Sequence, residues 1–105
     1  MQDKEIRKIL PEYLEIRHEN HRIYQEKSIG TAVCDLMLVT DKLTGFGVKS
    51  DHDNYERLRK QVQAYDRFFD ENYIVVGVSH ENSIESKVLA HWGIIVVEAY
   101  NIFCL

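Results

Sequence analysis

From residue 3 to about residue 18 the apolar positions Ile6, Ile9, Leu10, Tyr13 and Leu14 recur at helical spacing, with Asp3 placed to cap the run. Pro11 falls inside it. Because proline has no amide to donate and disfavours helical geometry in the residue before it, the pattern predicts a kinked helix or two short helices meeting near Leu10. Residues 21–29 read as a first strand, with Ser28-Ile29-Gly30-Thr31 as the turn out of it. Residues 32–40 carry a stronger strand signal. Alternation puts Val33, Asp35, Met37 and Val39 on one face and Cys34, Leu36 and Leu38 on the other, apolar on both sides as a central strand requires. Asp41-Lys42-Leu43-Thr44 then turns the chain into residues 45–50, a third strand that closes a hairpin.

Ser50-Asp51-His52-Asp53 offers cap-forming side chains, and Tyr55, Leu58, Val62, Tyr65 and Phe69 follow at spacings of three and four, predicting a long amphipathic helix. Asn72-Tyr73 ends it. Residues 74–78 form a short apolar run typical of a buried strand, 82–91 read as a further helix, 93–98 as a last strand, and a short tail leads to Leu105. The order is helix, three strands, helix, strand, helix, strand, without repeat or linker. Strands separated by helices run parallel with right-handed crossovers, so the expected class is α/β: a single domain over 1–105 with a mixed central sheet covered on both faces.

A chain of 105 residues suffices for one core. Composition, 45% apolar and 29% charged, is that of a soluble globular domain, and no apolar run approaches the roughly 18 to 20 residues that cross a bilayer. A membrane protein is therefore not expected. Charges interrupt the amino terminus, so it lacks the apolar region of a secretory signal, and a cytoplasmic protein is the expectation. Cys34 and Cys104 form no C-x-x-C pair and are read as reduced thiols. A formal net charge of −4 excludes coating nucleic acid by bulk attraction, so any DNA contact must be local.

Asp35 is the oddity, since an ionised carboxylate in an apolar strand needs a cation or hydrogen-bond donors. Lys49 lies on the next strand, and the period of two places position 47 and Lys49 on one face with Phe46 and Val48 on the other. Paired as a hairpin, Asp35, Gly47 and Lys49 converge. The same two charges also suit a structural ion pair, and Gly47 a bulge or a close backbone approach.

Those positions resemble the PD-(D/E)XK nucleases, whose core is a helix, three strands, a helix and a strand with the signature on the second and third strands. Gly45-Phe46-Gly47-Val48-Lys49-Ser50-Asp51 is similar to G-F-E-I-K-S-D of a group of small bacterial and phage members. Arg57-Leu58-x-x-Gln61-Val62-x-x-Tyr65 is similar to that group's second helix, Gln61 and Tyr65 to the Q-x-x-x-Y of RecB-like nucleases, and His91-Trp92-Gly93-Ile94-Ile95 to its carboxyl-terminal strand. The resemblance spans about residues 26–97. It implies a three-layer α/β/α, restriction-endonuclease-like fold and a metal-dependent DNA endonuclease, with catalytic positions Asp35, Gly47, Lys49, Gln61 and Tyr65. It further implies Mg2+ or Mn2+ held by Asp35 and an upstream glutamate, Glu26 with Glu15 and Glu19 as competitors. Two carboxylates offset the divalent charge and leave room for water and phosphate oxygens, while the lysine stabilises developing charge.

Gly47 stands where the family has its second metal-binding carboxylate. With Asp35 as the only certain anionic ligand, the expectation is weak or no metal binding and little cleavage. Two functions follow: a nuclease scaffold disabled at Gly47, or a non-catalytic nucleic-acid or protein interaction module that kept the fold. A homo-oligomer with a structural role is a third. Arg57 and Lys60 flank the long helix as candidate phosphate contacts or as a solvated face, and a homodimer is a candidate assembly, with Ile102-Phe103-Cys104-Leu105 as a docking tail. Gln61 and Tyr65 also suit a helix edge and the core stripe. His18 and His21 have ligand-like spacing without a set to complete zinc, and Ser50 is a cap rather than a nucleophile.

Overall fold

The computed structural model describes residues 3–17, 22–30, 32–49, 58–78, 83–98 and 101–104. Helix α1 (Asp3–Arg17) is followed by strands β1 (Arg22–Ile29), β2 (Ala32–Val39) and β3 (Leu43–Lys49), helix α2 (Leu58–Phe68), β4 (Glu71–Gly77), β5 (Gly93–Glu98) and β6 (Asn101–Cys104). The strands form one six-stranded sheet in sequence order. β1–β2, β2–β3 and β5–β6 are antiparallel, and β3–β4 and β4–β5 are parallel, so the sheet is mixed as expected of an α/β chain. Among the described residues no helix is long and apolar enough to cross a membrane.

Each face of the sheet has its own core. On one, Ile6, Leu10 and Leu14 of α1 pack over Leu36, Leu38, Phe46, Val48, Val75 and Val97. On the other, Leu58, Val62, Tyr65 and Phe69 cover Met37, Ile74, Val76 and Val96, with Ile84 and Trp92 completing the cluster. α1 runs unbroken through Pro11, because its apolar stripe on either side of the proline is anchored in the same core.

Three expectations need correction. Of the helix predicted over 82–91, residues 83 onward show a single 3-10 turn, Ile84–Lys87; it needs only Ile84 to seal the core, and no apolar stripe continues it. Asn72 and Tyr73, read as helix breakers, lie inside β4. The short tail expected after the last strand is itself a strand at residues 101–104: its backbone pairs with β5, and Ile102 packs against the α1-side core.

The fourth departure bears on function. β2 does not alternate regularly. Leu36 and Leu38 face α1 and Met37 and Val39 face α2, but Cys34 and Ala32 also face α2, where an unbroken period of two puts them under α1. β1 inverts in the same way, with Ile23 in the α1-side core and Ile29 in the other. The register stays constant through Gln25↔Leu36 and Lys27↔Cys34, and both strands shift face between those pairs, at Glu26 and Asp35. Glu26 carries a left-handed backbone, φ 51°, uncommon for any residue but glycine. A matched fault in two strands leaves their pairing intact while turning every later side chain over.

Candidate functional site

β2 and β3 pair from Val39↔Leu43 to Leu36↔Phe46 and no further, although β2 continues to Ala32 beside β1 and β3 to Lys49 beside β4. The sheet forks there, and Asp35 sits in the fork. Its main chain and side chain replace the lost ladder bonds. The Asp35 amide donates to the Tyr65 hydroxyl oxygen at 2.8 Å, and the Val48 amide donates to Asp35 Oδ2 at 2.8 Å. The other carboxylate oxygen, Oδ1, accepts from Arg7 of α1 at 2.6 Å. The second guanidinium nitrogen of Arg7 reaches Glu26 Oε1 at 3.1 Å.

Gly47, Lys49, Gln61 and Tyr65 gather on the opposite side, with Leu58, Val62, Ile74 and Trp92, around a small cavity with room for about one water. Alternation in β3 is regular: Phe46 and Val48 lie under α1, while a side chain at position 47 would meet Ile74 and Tyr65 under α2. A Cβ at position 47 would lie 3.4 Å from Ile74 Cδ1 and 3.6 Å from Tyr65 Cε2, ordinary contact distances. Nothing in the packing demands glycine there.

The expected convergence of Asp35, Gly47 and Lys49 on one face is not met, because the strand fault turns Asp35 over and β2 no longer pairs with β3 beside it; the predicted positions divide. Gly47, Lys49, Gln61 and Tyr65 share one cavity, while the Asp35 carboxylate is drawn toward α1 by the fault, held against the amide between Gly47 and Lys49 but turned to Arg7. Tyr65 joins the two halves. It is 1% exposed, belongs to the core stripe, lies tilted against Phe69 and Trp92, and holds the Asp35 amide. Burial and then the Asp35 charge push its phenol well above the ordinary tyrosine value, so it stays neutral and serves as a hydrogen-bonding group. Cys34 is a buried free thiol whose Sγ donates to the Leu36 carbonyl at 3.0 Å, and burial raises its pKa.

Lys60 is exposed on α2. Arg57, Glu19, His18, His21, Ser50 and Cys104's side chain lie outside the described residues, as does the side chain of Glu15.

As arranged, the donor set does not fit a divalent cation. A hard cation needs several oxygens free to turn toward it. Position 47 offers none, and both Asp35 and Glu26 already meet a guanidinium. Among the described residues no group of three or more His, Cys, Asp or Glu stands together to hold a metal.

Arg7 escaped the sequence reading. That Asp35 needs a cation or donors is legible, but the cation that the strand pattern brings beside it is Lys49, 14 positions away on the next strand, and nothing local ties α1 to a residue 28 positions downstream. The fault left no signal in the hydrophobic pattern, because apolar residues occupy both faces of β2.

Together these features define an α/β protein with a mixed sheet and two helices, whose strands β2 and β3 part around a half-buried polar site. The chain belongs to the bacteriophage P4 protein cII family, whose model matches residues 1–103. No curated protein and no solved structure matches it.

Proposed function

We propose that this chain is a metal-dependent DNA endonuclease scaffold of the PD-(D/E)XK type, with a restriction-endonuclease-like layering, disabled at Gly47. The observation that carries the reading is the shared cavity: the positions matching the family's Glu, Lys, Gln and Tyr line one small space, directly behind the fork that holds Asp35. These four come from two elements brought together by packing, so their meeting is independent of the local motif that suggested them. In an active form the Asp35 carboxylate, which here faces Arg7 of α1, would have to turn toward position 47 for it and a carboxylate there to hold Mg2+ or Mn2+, which would polarise a phosphodiester. Lys49 would offset charge developing on the phosphate, and Gln61 and Tyr65 would orient the groups around it.

Gly47→Glu is the test, on full-length chain with plasmid and single-stranded DNA in millimolar Mn2+ or Mg2+. The expected result is metal-dependent nicking that the wild type lacks and that Asp35→Asn or Lys49→Ala abolishes. A folded Gly47→Glu chain that binds manganese and leaves DNA intact rules the reading out. Cutting both strands of a duplex would call for two copies, which sedimentation on DNA would detect.

The second reading, a non-catalytic nucleic-acid or protein interaction module on the same fold, draws support from the engagement of Asp35 by Arg7 and Val48. It predicts DNA binding, if any, that EDTA does not change.

A further inference from the structure

We propose that Arg7 is the built-in counterion of this site: its guanidinium takes the place between Asp35 and Glu26 that a divalent cation needs, so the chain is closed to such a cation by Arg7 as well as by Gly47. The inference rests on reading the fork and cavity as a nuclease site, and it adds a second lesion to that site.

The geometry is that of a bridge. One guanidinium nitrogen lies 2.6 Å from Asp35 Oδ1 and the other 3.1 Å from Glu26 Oε1, so a single planar cation spans both carboxylates. The arrangement is anchored at both ends. Arg7 follows Ile6, fully buried in the α1-side core, and Asp35 is fixed by the Val48 amide and the Tyr65 hydroxyl. Asp35 and Arg7 are 17% and 21% exposed, sheltered enough for their attraction to escape full screening by solvent; Glu26, at 73%, is the looser partner. The bridge also spans the two residues of the strand fault, one of which holds a left-handed backbone.

Two physical points make Arg7 a block rather than an accessory. A guanidinium does not lose its proton in a protein, so raising the pH does not free the carboxylates. A second cation placed between the same oxygens would stand a few ångströms from it, and the repulsion in a sheltered site is large. A carboxylate restored at position 47, under α2, therefore gains Asp35 as a co-ligand only if Asp35 leaves Arg7 and turns from the α1 side.

The experiment uses full-length chains and manganese alone as the probe, with free Mn2+ followed by electron paramagnetic resonance and folding by circular dichroism. Gly47→Glu is expected to bind Mn2+ weakly, and Arg7→Gln with Gly47→Glu at least about tenfold more tightly, a small part of the repulsion removed. Adding Asp35→Asn should abolish the gain. Where the Arg7→Gln chain fails to fold, Arg7→Lys keeps the charge but gives up the two-pronged bridge, and a smaller gain over Gly47→Glu is expected. Equal affinity of the Gly47→Glu chain with and without the Arg7 change overturns the proposal, as does a gain that survives Asp35→Asn. Because binding is read without DNA, the two failures separate. A double variant that holds manganese tightly but cuts nothing overturns the nuclease reading and leaves the assignment of Arg7 standing. A Gly47→Glu chain that cuts DNA with an unchanged manganese requirement after Arg7 is replaced does the reverse.

Discussion

Gly45 and Gly47 lie two residues apart on the same face of β3, under the same helix, yet their surroundings differ in kind. A Cβ on Gly45 would fall 2.3 Å from Phe69 Cδ2 and 2.9 Å from Asn72 Oδ1, inside atoms that hold the end of α2 against the sheet. A Cβ on Gly47 would make ordinary contacts beside a cavity. The first glycine is set by packing. The second costs the strand conformational entropy and fills nothing, so its cause must be sought outside stability. Two glycines that look alike in the G-F-G run therefore mark opposite things: a place where the fold admits no side chain, and a place where it leaves room for one.

The largest effect should fall on Gly45. Gly45→Ala is expected to destabilise by about 2 to 3 kcal/mol, the range for forcing atoms into a filled core, read as a lower urea midpoint at unchanged slope. A change below about 0.5 kcal/mol would erase the contrast between the two positions. Next comes the residue that connects them. Tyr65→Phe removes the oxygen that accepts the Asp35 amide and leaves that amide in a sheltered place without its partner, for a cost of about 1 to 2 kcal/mol. Hydrogen exchange at Asp35 should quicken in parallel.

Gly47→Ala should go the other way, stabilising by about 0.5 kcal/mol as a flexible strand residue is replaced by one with ordinary contacts. Destabilisation there would mean that the glycine is structural after all, as a bulge or close approach would require.

The smallest effect belongs to a clasp outside the comparison, on the far end of α2. Asp66 Oδ1 accepts from the Trp92 indole at 3.1 Å and lies 2.5 Å from His91 Nε2, and these bonds, His91 first, hold its carboxyl below the usual value. A carboxyl with a depressed folded pKa stabilises fully above its unfolded pKa, about 3.9, and loses that contribution as pH falls below it. The stability gap between wild type and Asp66→Asn should accordingly shrink in acid between about pH 4 and its folded value. Since Asp66 is near the surface, the gap is small at any pH.

Much of this architecture was legible because it is local. The helical stripe Ile6, Leu10, Leu14 and the alternation of β3 fix which residues face a core, whatever that core is. The run 74–78 announced a buried parallel strand by being apolar on both sides. Where the reading failed, a distant partner decided. Four residues at 84–87 make one 3-10 turn because Ile84 alone is needed beneath them, and residues 101–104 become a strand because β5 offers an edge.

The sequence by itself settled that Asp35 needs a cation or hydrogen-bond donors and that position 47 faces the same layer as Lys49, since both follow from the cost of burying charge and from the period of a strand. Only the tertiary structure decided which cation answers, and on which side. The fault shared by β1 and β2 turns the carboxylate toward α1, and the left-handed backbone at Glu26 stands beside contacts among residues 7, 26, 35 and 65, which no local pattern connects.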